Sequence, residues 1–216
     1  QIATLIAFGA NAVCPYGVFE AARLVELLPL FETRARLAPQ RINPRDILHH
    51  RIAHRLGGKD AAIVLKDCKL ERTANGLVWG AFTNAGQNCA SIERVYIDKA
   101  IAGELIPKIV EATKALRPGI DTAMLTTHKQ CSIVRRHLAE AIASGAEVLA
   151  GGAPEEGSLA FAPTVVKLSN EDTALMREET FGPILPIVLV DGEDDAIART
   201  NASKFGLTTS LWTKRI

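Results

Sequence analysis

The chain has 216 residues, of which 48% are hydrophobic and 23% charged, and its formal net charge is +1. This is the balance of an ordinary globular protein, which excludes a collagen-like or disordered chain. Near-neutrality leaves no electrostatic footprint for nucleic acid or an anionic membrane. No apolar run reaches the ~18 residues that span a bilayer, so no membrane partner is expected.

Residues 1–56 differ from the rest. They hold seven Arg, no Lys, four acidic residues and three of the five His, a net charge of +3 against −2 for residues 57–216. The opening QIATLIAFGANA ends in Ala-x-Ala but lacks a basic start, which argues against a signal peptide. Val18–Glu32 has Ala22, Leu24, Leu27 and Leu28 at helical spacing, with Pro29 as an interruption. Thr33–Leu56 has no clear period.

From residue 57 the pattern alternates. Ala61–Leu65 reads as a buried strand and Lys69–Thr83 as a helix. Arg94–Asp98 reads as a strand. Ala102–Leu116 reads as a helix, with Pro107 marking its true start or a kink. Gln130–Ser144 follows as a helix stopped by Gly145. Glu147–Ala150 is a short strand before Gly151-Gly152, and Ile184–Val190 is a central strand. Asp194–Ala202 is a short helix and Leu207–Thr213 a final strand. Such alternation predicts an α/β fold with a mostly parallel sheet flanked by helices.

The four cysteines are Cys14, Cys68, Cys89 and Cys131, and none forms a CxxC pair. A disulfide framework or zinc ribbon is therefore not expected, and a reducing, cytoplasmic setting is. Cys89 lies in the polar loop Asn84-Ala-Gly-Gln-Asn-Cys-Ala-Ser91. Backbone N–H groups there favour a nucleophilic thiolate, and Asn88 with nearby amides could serve an oxyanion. The alternative is a buried thiol packing as a small hydrophobe, which is how Cys14, Cys68 and Cys131 are read. Glu178-Glu179-Thr180-Phe181-Gly182-Pro183 offers carboxylates for ribose hydroxyls and an aromatic wall, or else a solvated acidic turn. Leu56-Gly57-Gly58-Lys59 permits close backbone approach, or is merely a turn. His49, His50 and His54 have no acidic or Cys partner at metal-ligand spacing, so no metal is expected.

Together and in this order these segments resemble the aldehyde dehydrogenase superfamily. The matching stretches are LGGKDAAIVL (56–65), GLVWGAFTNAGQNCASIERVYID (76–98), EETFGPILPIV (178–188) and FGLTTSLWT (205–213). Gly151-Gly152 and the later APTVV (162–166) also fall in the expected order. The resemblance implies an aldehyde dehydrogenase-like catalytic domain, incomplete, over residues 57–216, with residues 1–56 unmatched. It implies oxidation of a small aldehyde to an acid with NAD or NADP, through a thiohemiacetal and a thioester on Cys89. By the same resemblance the Cys89 N–H serves the oxyanion, Glu179 binds the nicotinamide ribose, and Phe181 lies beside the nicotinamide. Leu56 and Gly57 then line the site near that ring, and the intact relative forms a homo-oligomer.

Two departures qualify this expectation. Arg55 stands where the family usually has the Glu that activates water, and a guanidinium cannot take that proton. Neither the Pro-Trp-Asn motif nor the Gly-Ser-Thr turn of the family occurs in the chain. Loss of a general base costs ~10²–10⁴ and of an oxyanion donor ~10²–10³, so ~10⁴–10⁷ together, and weak activity of these residues alone is expected. The resemblance stops inside a motif at Leu56, as a change of reading frame would make it stop; translating the parent DNA in the other frames tests this. The alternatives are a coenzyme A-acylating relative, which manages without the base, and a non-catalytic remnant that binds a homologous subunit.

Overall fold

The computed structural model describes residues 12–13, 58–154 and 156–215. The expected helix at 18–32, the histidines at 49–54, Cys14, Arg55, Leu56 and Gly57 lie outside the described residues.

The strands are β1 (Ala12–Val13), β2 (Asp60–Val64), β3 (Ile92–Asp98), β4 (Glu147–Gly152), β5 (Ala162–Leu168), β6 (Ile184–Val190) and β7 (Thr209–Trp212). The helices are α1 (Leu70–Phe82), α2 (Lys99–Lys114), α3 (His128–Ala143), α4 (Ala174–Arg177) and α5 (Glu193–Asn201). One sheet runs in the order β1-β7-β2-β3-β6-β5-β4. The pairs β7–β2, β2–β3, β3–β6 and β6–β5 are parallel; β4 and β1 join antiparallel at the two edges. The expected mostly parallel α/β layer is what forms.

Helices cover both faces, so the central strands are apolar on both. Alternation along β2 sends Ala62 and Val64 to one side and Ala61 and Ile63 to the other. On the first side they meet Leu77, Val78 and Phe82 of α1 and Leu105 and Ile109 of α2. On the second they join Val134 and Leu138 of α3, Leu175 of α4 and Ala196 of α5.

Two local differences from the sequence reading have physical reasons. The α2 helix starts at Lys99, not Ala102, because the Asp98 carboxylate caps it by accepting the Ala100 N–H (2.9 Å). Pro107 then sits inside the helix on its exposed side. Residues 162–166 were read only as a matching motif; they form the first part of β5, with Pro163 next to its start. Its ladder with β6 begins one residue later, at Thr164, so the missing N–H falls outside that pairing.

Candidate active site

Cys89 sits between α1 and β3. After Phe82 the chain makes a 3-10 turn over Thr83–Gly86, in which Asn84, Ala85 and Gly86 all have positive φ (54°, 55° and 68°). Asparagine and glycine tolerate this conformation; Ala85 is held in it by its neighbours. Gln87 is the main clasp. Its Nε2 donates to the Asn84 carbonyl (3.0 Å) and the Met124 carbonyl (3.1 Å), and its Oε1 accepts the Thr126 N–H (2.9 Å). Behind the cysteine, Ser91 Oγ donates to the carbonyls of Gly80 and Ala81 (3.2 Å each). Asn88 closes a small turn around Cys89, its Oδ1 accepting the Ala90 N–H (3.0 Å). The Cys89 thiol is exposed, whereas Cys68 and Cys131 are buried.

Gly58 touches this loop directly. A Cβ built on Gly58 would lie 1.5 Å from the Cys89 carbonyl oxygen, so no other residue fits. The close approach that paired glycines allow is thus made to the Cys89 loop itself. The Gly58 N–H donates to Glu179 Oε1 (2.8 Å), which brings Cys89, Gly58 and Glu179 to one point.

The first residues of this stretch each bind a different segment. Gly58 takes Glu179. Lys59 Nζ, fully buried, pairs with Glu93 Oε2 (2.6 Å) and donates to Thr180 Oγ1 (3.1 Å). Burial holds the Lys59 ammonium below its usual pKa, partly offset by Glu93. Asp60 accepts the Thr208 N–H (2.9 Å) and hydroxyl (2.6 Å) with its two oxygens, and burial pushes its carboxyl up to about 7. These residues therefore gather the three motif segments 89–93, 179–181 and 205–208 around the C-terminal neighbour of Gly57.

The paired carboxylates Glu178 and Glu179 separate by environment. Glu178 turns to α3, accepting from Arg136 (3.1 Å) and lying 3.3 Å from His137 Nε2; the Arg136 bond holds its pKa down. Glu179 is half-buried and its carboxyl is raised by that burial. Its second oxygen makes no hydrogen bond among the described residues. A half-buried carboxylate with an open acceptor fits a vicinal diol, so the residues present suit the ribose of a nicotinamide cofactor. Phe181 follows in a left-handed conformation (φ 48°), its carbonyl accepting from Gln130 Nε2 (3.2 Å). The turn is packed against the loop leading to Cys89: a Cβ on Gly86 would lie 2.3 Å from the Gly182 carbonyl oxygen.

Gln87, Lys59, Glu93 and Asp60 were not singled out from the sequence. The only available signal was their place inside or beside the quoted motifs, because, apart from Asn84 beside Gln87, their side-chain partners lie 34 to 148 residues away.

The sequence profile of the Aldehyde dehydrogenase family matches residues 43–216. That match begins ahead of Leu56, so the family resemblance does not start where the motifs alone placed it. A curated relative, 4,4'-diapolycopene aldehyde oxidase of Methylomonas, is 36% identical over 165 residues, covering 74% of this chain and 31% of the relative. The crystal structure of NADP-dependent glyceraldehyde-3-phosphate dehydrogenase from Bacillus halodurans, complexed with NADP, is 33% identical with a TM-score of 0.70, over 74% of this chain and 34% of that one. The aldehyde dehydrogenase of Mycobacterium tuberculosis complexed with NAD+ is 33% identical with a TM-score of 0.69, over 74% and 35%. The chain spans about a third of the length of these relatives. By profile, sequence and fold together, it belongs to the aldehyde dehydrogenase family.

Proposed function

We propose that the chain carries the nucleophile half of an NAD- or NADP-dependent aldehyde oxidation. The supporting observation is the meeting of an exposed Cys89, the Gly58 backbone and the half-buried Glu179 carboxylate. The Cys89 thiolate attacks the carbonyl carbon of a small aldehyde and forms a thiohemiacetal. The Cys89 N–H, which donates to no other group among the described residues, is available to the oxyanion. Glu179 would hold a ribose hydroxyl of the nicotinamide cofactor on its second oxygen, and Phe181 would flank the nicotinamide. A bound nicotinamide would supply the acceptor for the hydride of the thiohemiacetal, and Cys89 would retain the acyl group as a thioester. With Arg55 in place of the family's Glu, these residues release that acyl group slowly.

The experiment is an acylation burst. With p-nitrophenyl acetate the purified chain should release about one p-nitrophenolate per chain and then nearly stall, since acylation needs only the thiolate and deacylation needs the missing base. Cys89→Ser should abolish the burst. A burst that survives Cys89→Ser overturns the assignment. Propanal and NAD should give little turnover with the 216 residues alone, and ordinary turnover would refute the role given to Arg55. Release that accelerates only with coenzyme A would favour the acyl-transferring relative. A cytoplasmic setting and assembly as a homo-oligomer belong to the same proposal. Among the described residues no helix is long and apolar enough to cross a membrane.

A further inference from the structure

Glu93 lies on β3, four residues beyond Cys89, and its side chain is 3% exposed. A buried carboxylate is costly unless every oxygen is well bonded. Here Oε2 accepts from Lys59 Nζ (2.6 Å) and the Thr180 N–H (2.9 Å), and Oε1 accepts the Phe181 N–H (2.8 Å). Two successive backbone amides pointing at one spot form an anion-binding nest. Just past these amides the chain turns at Phe181, whose φ of 48° is costly for an aromatic residue unless its surroundings impose it. Glu93 supplies the anion, and Lys59 balances its charge inside the fold. Lys59 follows Gly58 directly, and the Gly58 N–H holds Glu179.

We propose that Glu93 is a positioning residue. As an internal anion it sets the backbone of residues 179–181, and so aims the Glu179 carboxylate and the Phe181 ring at the space before Cys89. It also joins that segment to the strand carrying the nucleophile, so the cofactor-facing and substrate-facing parts of the site move as one. The functional half of this inference rests on the reading of Glu179 as a ribose ligand.

The test compares wild type, Glu93→Gln, Glu93→Asp and Glu179→Gln, each as the full 216-residue chain. Two quantities are read by NMR: the shifts and exchange rates of the Thr180 and Phe181 amides, and the affinity for nicotinamide mononucleotide. A Gln side chain offers one acceptor oxygen where three donors converge. In Glu93→Gln both amides should therefore move upfield and exchange at least ~10-fold faster, with mononucleotide affinity falling by ~10-fold. Amides of β2 and β6 should keep their rates, and Glu93→Asp, which retains the charge but reaches less far, should fall between. Glu179→Gln should lose the mononucleotide yet keep slow amides at 180 and 181. Unchanged amides in Glu93→Gln overturn the proposal; so do freed amides with wild-type mononucleotide affinity. If Glu179→Gln and wild type behave alike toward the mononucleotide, the ribose reading falls, and the amide data alone decide whether Glu93 sets the segment. Should Glu93→Gln fail to fold, Lys59→Met/Glu93→Gln leaves no lone interior charge and carries the same expectations.

Discussion

Gly58 and Asp60 flank Lys59, and each answers a different physical demand. At Gly58 the demand is space. Gly58→Ala forces its Cβ into the Cys89 carbonyl, which is backbone and cannot rotate aside. The expected result is a loss of roughly 2–4 kcal/mol of stability, measured by urea denaturation, together with a changed alkylation rate at Cys89. At Asp60 the demand is electrostatic. Its folded pKa of about 7 lies above the value of 3.8 for the free side chain, so the fold favours the neutral acid. That contribution is full below about pH 4, shrinks as pH rises to about 7, and is gone above it; the range is a few kcal/mol. Asp60→Asn removes the dependence. Its Tm, relative to wild type, should be higher at pH 8 than at pH 5, and an unchanged difference would refute the assignment. Of the residues read as functional, Cys89 drew notice for its polar loop, but its role came from the family resemblance of the surrounding motifs. Gln87 and Glu93 drew no notice, because what distinguishes them is a partner on another segment.

At the scale of elements, periodicity placed most helices and strands from 60 onward within a few residues of where they lie. Ile184–Val190 is exact at both ends: its length and β-branched apolar residues fit a strand buried on both faces, and Pro186 is accommodated within it. Helix ends were harder. The Asp98 cap that starts α2 acts through a side chain that also closes β3, so period alone could not assign it. Pro107 is the cost of that longer helix: it removes an N–H and crowds the preceding turn. It is exposed, and Pro107→Ala should therefore stabilise the protein by about 1–3 kcal/mol, raising the urea midpoint. A lowered midpoint would show that the proline is accommodated without strain. The four-residue α4 went unseen because one turn has no period to detect.

Across the whole molecule, the two apolar layers on either side of the sheet protect two of the described thiols and leave one open. Cys68 belongs to the α1–α2 side and Cys131 to the α3 side, at 6% and 4% exposure. In a Cys14→Ser background, a thiol reagent should modify Cys89 quickly in native buffer. Cys68 and Cys131 should react only as the fold opens, with rates that rise with denaturant as global unfolding does. Rapid native labelling of either would contradict the packing described above. Such a pattern also separates the proposed nucleophile from its two bystanders by a single mass-spectrometric time course.

From the amino-acid sequence alone follow the α/β class, the parallel central strands, and the two motifs, a cysteine loop and an acidic Phe-Gly-Pro turn, that carry the family resemblance. These are local patterns, written in residues close together along the chain. Which partners Glu178 and Glu179 take, what the glycine at 58 is for, and why Lys59 and Glu93 can be charged in the interior were decided only by tertiary structure. Each depends on contacts between segments far apart in sequence, where burial and hydrogen-bond geometry, rather than residue type, set the outcome.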